Sequence, residues 1–478
     1  MSSQPRLDEP ENFFLSGNWA PVDEEHVDRD LEVIGEIPAD LDGYFMRIGP
    51  NPTYVADVSA YHIFDGDGMI HQVEFREGKA TYRNRFVETA GLLKERDKGG
   101  WIWKGMNQTM ADMAAGNPLP EGGQFKDLVN TAMIVHANKF YGLMEGGTPH
   151  EMGLPDLDTI RRDDFDGKLN HPFTAHPKVD IKTGEMMTFG YSPVPPFLTY
   201  SVIDKNSRLV HTAQINIPKA VMMHDCAITE RFTIFLDLPI TFDFERVAKG
   251  ESMLAWEPEN GTRLGVMPRM GEDADIKWFE IDSCMMFHVA NAWEDGDEVV
   301  LLGCRANRTD VANATTNAAD ESLDMRDQLA LLTEWRMNLA TGEVIERNID
   351  PNLYCEFPRI NDHLAGRPSR YAYLAGIDAE LSGTPFTSEI KYDHTDGSMT
   401  VHPLGEGRKG GEAIFAPRKG GTSEDDGYVI LFTWDEPNQQ SECVVIDAQN
   451  FEADPIARIK IPHRVPFGFH ASWVPNAQ

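Results

Sequence analysis

Tight turns rich in glycine, aspartate and asparagine recur along this chain between short apolar or alternating segments. That punctuation admits a fold built hairpin upon hairpin. Glu77-Gly78-Lys79, Lys182-Thr183-Gly184-Glu185, Asp204-Lys205-Asn206, Asp295-Gly296-Asp297 and Ala340-Thr341-Gly342-Glu343 are such turns. The C-terminal stretch reads as three strands in succession, Tyr428–Trp434, Cys443–Asp447 and Ile456–Ile461. Forty glycines and thirty prolines in 478 residues suit short strands and long loops better than long helices. The best helical candidates, Asn107–Ala115 and Asp320–Leu329, are both short. No low-complexity linker divides the chain, so residues 1–478 read as one all-β domain. Many hairpins in one unit must hide their edges, as a closed barrel, a sandwich or a β-propeller does. No clean repeat of the WD type selects the propeller among these.

Charge and cysteine content narrow the partners. The formal charge is −34, a surface that repels phosphate backbones and anionic headgroups, so nucleic acid is excluded as a partner. No apolar run reaches the roughly 20 residues needed to span a bilayer. The first eleven residues lack the basic-then-apolar layout of a secretory signal. The five cysteines are odd in number and no pair has CxxC spacing. They read as reduced thiols, which points to the cytoplasm, with at most a peripheral contact to membrane.

Four of the fifteen histidines stand at the ends of apolar or aromatic stretches. They are His176 in Phe173-Thr174-Ala175-His176, His224 in Val221-Met222-Met223-His224, His288 in Met285-Met286-Phe287-His288 and His470 in Phe467-Gly468-Phe469-His470. One histidine in such a setting is usually a satisfied core residue. Four together require several buried partners, or one shared ion. Neutral imidazole is a good ligand for Fe, Cu, Ni or Zn. The four lie 48, 64 and 182 residues apart, too far for a local metal motif. Such spacing suits inner strands of different blades, at about 40–50 residues per blade plus insertions.

Three glutamates have comparable settings. Glu145 ends Phe140-Tyr141-Gly142-Leu143-Met144, Glu356 precedes Phe357-Pro358-Arg359, and Glu412 precedes Ala413-Ile414-Phe415. Buried glutamate needs a partner. A metal-bound histidine commonly donates its other ring N–H to a carboxylate; salt bridges to Arg359 or Arg418 are the other reading.

With these segments in view, the chain resembles the carotenoid cleavage oxygenase family nearly from end to end. The resemblance rests on Gly17-Asn18-Trp19-Ala20-Pro21-Val22, Arg47-Ile48-Gly49-Pro50-Asn51-Pro52 and Phe64-Asp65-Gly66-Asp67-Gly68-Met69. It continues through the four histidine segments, above all Met223-His224-Asp225-Cys226-Ala227-Ile228-Thr229-Glu230 and Phe287-His288-Val289-Ala290-Asn291-Ala292-Trp293-Glu294. Glu356-Phe357-Pro358-Arg359 and Gly411-Glu412 complete it. The resemblance implies a seven-bladed β-propeller under a dome of helix and loop, with Fe(II) held on the axis by His176, His224, His288 and His470. It implies that Glu145, Glu356 and Glu412 each orient one histidine, that Thr131 stands near an open iron position, and that Phe64, Phe287 and Phe357 line a substrate tunnel. The implied reaction uses O2 to cleave one conjugated double bond into two carbonyl products.

The stilbene- and phenylpropanoid-cleaving branch of that family is similar in carrying a lysine just before the first of these glutamates. Here that residue is Met144. A thioether cannot pair with a phenolate but packs well against a polyene. The expected substrate is therefore a carotenoid or apocarotenoid, with Met144 among its contacts; a stilbene is the alternative. Trp101, Trp103, Met106, Met110, Met113 and Val194–Leu198 could form an apolar tunnel mouth, and contact with a membrane would then be transient apolar insertion.

Overall fold

The computed structural model describes residues 12–120, 123, 125–249, 251–309, 325–381 and 384–476. Seven antiparallel sheets form a β-propeller with few helices. Blade 1 runs Ala132–His136, Lys139–Leu143, His150–Met152, Thr159–Arg162. Blade 2 runs Lys178–Asp180, Glu185–Tyr191, Leu198–Ile203, Leu209–Ile215. Blade 3 runs Cys226–Ile228, Phe232–Asp237, Arg263–Pro268, Lys277–Glu280. Blade 4 runs Met285–Asp295, Glu298–Ala306, Leu331–Asn338, Val344–Asn348. Blade 5 runs Cys355–Arg359, Tyr371–Ile377, Phe386–Asp393, Ser398–Pro403. Blade 6 runs Ile414–Pro417, Gly427–Asp435, Gln440–Asp447, Ala457–Ile461. Blade 7 joins the two ends of the chain: Ala471–Pro475 pairs with Gly43–Pro50, followed by Gly68–Arg76 and Lys79–Phe86. Residues Val33–Gly35 add an outer strand to blade 6. Pairing early strands with the last one closes the ring, and each blade keeps only a short edge on the inside.

Local chemistry sets the hairpins. At the tip of Gly68–Arg76 and Lys79–Phe86, Glu77 and Gly78 both have positive φ, 51° and 70°. This is the geometry a two-residue hairpin turn needs to match strand twist. The core lies between blades. One cluster packs Met187, Phe189 and Tyr200 of blade 2 on Ile234 and Phe235 of blade 3, and these on Leu301 and Trp335 of blade 4. Another joins Phe45, Val73 and Tyr82 of blade 7 to Tyr428, Ile430 and Val445 of blade 6. Trp335 is fully buried, and its indole N–H donates to Glu346 at 2.8 Å, so its polar atom is satisfied.

Two helices are inserted between blade 7 and blade 1. Ala90–Lys98 starts at Thr89, whose hydroxyl accepts from the Leu92 N–H, and stops at Gly99 with φ 72°. Met106–Ala115 has no side-chain cap of its own; Asp65, from a blade 7 loop, accepts the Met106 N–H at 2.7 Å. Lys126 is buried between Asp67 and Glu95, and Glu95 also takes the N–H groups of Ile102 and Trp103. A hairpin of Ile240–Phe242 and Leu254–Trp256 is inserted in blade 3 and bridges back to Val221, three residues before His224. The helix expected at Asn107–Ala115 is therefore present. Of Asp320–Leu329, Asp320–Asp324 lies outside the described residues and Met325–Gln328 is a single 3-10 turn.

Candidate metal centre

The first strand of each blade is its inner strand, and these strands lie against one another round the axis. One polar side chain stands just ahead of each strand or early within it: Thr131, His176, His224, Glu412 and His470 ahead, His288 and Glu356 inside. The repeat hidden in the sequence is thus a repeat of position, with three residue types sharing it.

The four histidines meet there. One ligand atom from each lies within 4.8 Å of every other. His176 Nε2 is 3.0 Å from His224 Nε2, which is 3.3 Å from His288 Nε2. Three of the rings are held from behind. Glu145 binds the His224 Nδ1, Glu356 the His288 Nδ1 at 2.5 Å, and Glu412 the His470 Nδ1 at 3.0 Å. A carboxylate on Nδ1 fixes the tautomer with its proton there and turns the Nε2 lone pair inward. Several inward lone pairs at about 3 Å repel one another unless a cation lies between them. Three carboxylates stand behind the imidazoles, one of them faced by the Arg359 guanidinium, and they provide partial compensation for a bound cation.

The supports are themselves supported. Glu412 accepts the Ala471 N–H, and Arg359 stands 3.6 Å from its other face. Burial opposes its ionisation, yet His470, Arg359 and Ala471 outweigh burial and bring its pKa down to about 2. Glu356 also accepts the Phe357 N–H at 2.5 Å, and Tyr191 donates its hydroxyl to Glu145. Among the described residues no carboxylate forms an ion pair with His176; its backbone N–H is held by the Thr174 hydroxyl at 2.9 Å. Burial and then the three neighbouring imidazoles push its pKa well below the usual imidazole value, keeping it neutral.

Backbone irregularities sit at the site. Strand Met285–Asp295 slips register between Met286 and Asn291, around His288. Strand Cys355–Arg359 slips between Glu356 and Arg359, where Phe357 has φ 52°. Bulges of this kind re-aim side chains, and positive φ in a phenylalanine is strain kept where the site requires it. The Phe357 ring stacks on His288 at 5.1 Å, Phe287 lies 5.6 Å from His224, and Phe386 lies 5.5 Å from Phe357. Phe64 packs on Phe469 at 5.8 Å and is 40% exposed.

The remaining expected residues fall as follows. Thr131 donates its hydroxyl to Asn130 at 2.9 Å, and its carbonyl accepts from the His470 N–H at 3.3 Å. The Met144 sulfur accepts the Leu128 N–H at 3.1 Å, and its side chain packs against Gly147. Arg359, read from sequence as an alternative partner of a glutamate, joins His470 on Glu412 rather than replacing it. Arg418 pairs with Asp426 and Asp40 instead. Trp103 is buried, whereas Trp101 is 43% exposed. Sequence reading missed Tyr191 and Asn130. The one signal for Tyr191 is a tyrosine ending the apolar run Met186-Met187-Thr188-Phe189-Gly190.

The family model described as retinal pigment epithelial membrane protein matches residues 19–475. The chain is 39% identical to carotenoid 9,10(9',10')-cleavage dioxygenase 1 of Arabidopsis thaliana, over 97% of this chain and 90% of that one. It is 33% identical to a carotenoid cleavage oxygenase of Mycobacterium tuberculosis, over 98% of each. Among solved structures, a lignostilbene dioxygenase of Pseudomonas brassicacearum superposes with TM-score 0.88 at 29% identity, over 99% of this chain and 100% of that one. The apocarotenoid oxygenase of Synechocystis superposes with TM-score 0.84 at 26% identity, over the same shares. A propeller whose blades bring four histidines together, and relatives of this similarity along almost the whole chain, place the protein in the carotenoid cleavage oxygenase family, as an oxygenase enzyme.

Proposed function

We propose that the protein is a non-haem Fe(II) dioxygenase that cleaves one conjugated C=C bond of a carotenoid or apocarotenoid with O2, giving two carbonyl products. The observation that carries this reading is the convergence of four imidazoles, three of them with carboxylates on Nδ1. Such a donor set suits a divalent transition metal, and the relatives named for carotenoid cleavage make iron the metal of choice. His176, His224, His288 and His470 would hold the ion through inward ring nitrogens, and Thr131 would stand beside it. Bound there, ferrous iron supplies the reductive activation of O2 that an alkene alone cannot provide.

The chain's own part is placement. Glu145, Glu356 and Glu412 lock three tautomers, while Tyr191 and Arg359 hold two of those carboxylates. Phe287 and Phe357 lie against the ligating rings and exclude water; Phe64 extends the apolar wall outward. Fixing one double bond beside the metal converts a bimolecular encounter into a unimolecular one, and no acid or base side chain is needed.

For the substrate, Met144 offers a thioether and no cation, which favours a polyene over a phenolic stilbene. The structural likeness to a lignostilbene dioxygenase keeps the stilbene as the second reading. Trp101, Phe125 and Val194 are exposed apolar side chains, which supports transient shallow insertion as the way a polyene would pass from membrane to protein. Among the described residues no helix is long and apolar enough to cross a membrane. Five buried free cysteines suit a cytoplasmic setting. The test is anaerobic reconstitution with Fe(II), then air and mass analysis of products from apocarotenals and hydroxystilbenes. Aldehydes from the polyenes alone support the reading; cleavage of the stilbenes alone transfers it to the second.

A further inference from the structure

Three hydrogen bonds hold the amide of Asn130, which is 3% exposed. Its Nδ2 donates to the Phe64 carbonyl at 3.1 Å and to the Gly66 carbonyl at 2.7 Å, and its Oδ1 accepts the Thr131 hydroxyl at 2.9 Å. The two carbonyls fix which way the amide faces, since a flip would set oxygen against oxygen twice. The Thr131 hydroxyl must then be the donor, and its proton is committed to Asn130.

Each end of this bridge touches machinery described above. Thr131 and His470 occupy equivalent positions, one residue ahead of neighbouring inner strands, and are joined by the His470 N–H on the Thr131 carbonyl. At the other end Phe64 packs on Phe469, next to His470. Its neighbour Asp65 accepts the N–H groups of His62 and Met106, the latter opening an inserted helix. The close approach is built in: a Cβ on Gly68 would collide with the Val129 carbonyl, the residue before Asn130.

We infer that Asn130 is a positioning residue that couples the Phe64 loop to the rim of the metal centre. It restrains the Thr131 hydroxyl from turning toward the ion and holds Phe64 in the substrate wall. This rests on the metal-dependent reading above. Neither half involves substrate contact by Asn130 itself. Its loss therefore produces two separable defects: a freed hydroxyl competes for the open position on the metal, and a loosened loop weakens substrate binding.

The test uses the full chain loaded anaerobically with Co(II), whose visible absorption weakens as its coordination number rises, beside steady-state kinetics of the Fe(II) form with an apocarotenal. Asn130→Ala is expected to weaken the Co(II) band and to raise KM about 10-fold, the scale of losing buried hydrogen bonds. Thr131→Val, lacking a hydroxyl, should leave the band unchanged. The double variant should recover the wild-type band but keep the raised KM. An Asn130→Ala protein with wild-type band and KM overturns the inference, as does a double variant whose band stays weakened, which would assign Asn130 a merely structural role. If Asn130→Ala does not fold, Thr131→Val alone decides: a changed band shows that the hydroxyl already faces the metal, and the coupling is wrong. A wild-type chain that takes up no Co(II) at the four histidines fails the metal reading, and this inference falls with it.

Discussion

Blade 2 and blade 7 present a histidine to the same axis by different means. His470 is braced through Nδ1 by Glu412, which is itself held by the Ala471 N–H and faced by Arg359. His176 has no carboxylate partner among the described residues and is held through its backbone by Thr174. The contrast separates two tasks. The propeller geometry alone brings an imidazole to the axis, as blade 2 shows. The carboxylates add charge and tautomer control, which three of the four imidazoles receive and His176 does not.

The largest test of that division is removal of the rings. His176→Ala and His470→Ala should both abolish bound metal and turnover, since the braced and unbraced ligands complete one cage. Metal analysis of each purified variant checks this; a His176→Ala protein that still binds metal would break the equivalence.

Next comes acid. Glu412 has its pKa lowered from the usual 4.5 to about 2. A carboxylate depressed in the folded state stabilises the fold above about pH 4.5, and that contribution is lost as pH falls toward 2. Its size is on the order of 3 kcal/mol. His176, lowered from 6.5, acts in the same direction: the unfolded chain takes up its proton first, so the metal-free fold weakens as pH drops below 6.5. Acid unfolding of metal-free wild type and Glu412→Gln should differ at pH 6 and converge toward pH 2. Parallel curves would remove the brace from the account.

Smaller are the changes to metal affinity. Glu356→Gln and Glu412→Gln should each weaken Fe(II) binding about 10- to 100-fold, whereas Thr174→Val behind His176 should cost about 2-fold, a neutral hydrogen bond's worth. Competition with a chelator measures all three. Smallest is Tyr191→Phe, which keeps the ring and removes only the hydroxyl on Glu145, with an expected loss of a few-fold.

What the sequence made legible follows from where each signal lives. The four clustered histidines show because a histidine closing an apolar stretch is conspicuous, and their wide spacing suited separate blades. Which glutamate serves which histidine was not readable from the residues, because the partners are 79, 68 and 58 residues apart in chain and meet only through closure of the ring. The seven-fold repeat of inner-strand positions escaped because histidine, glutamate and threonine share it. Strand Gly427–Asp435 reads as a continuous apolar run, since a propeller strand is covered on both faces and is buried along its whole length. Tyr191 and Asn130 were missed for the opposite reason: their roles depend on single hydrogen bonds to distant carboxylate, hydroxyl and carbonyl groups, which no local pattern announces.

X-ray absorption on the anaerobically purified, iron-loaded chain, with metal quantified in the same sample, addresses the cage itself. One iron per chain with four imidazole scatterers, lost in His176→Ala and His470→Ala alike, is the expected result. Iron that is absent from the wild type, or that remains bound with an unchanged ligand shell when either histidine is removed, would contradict it.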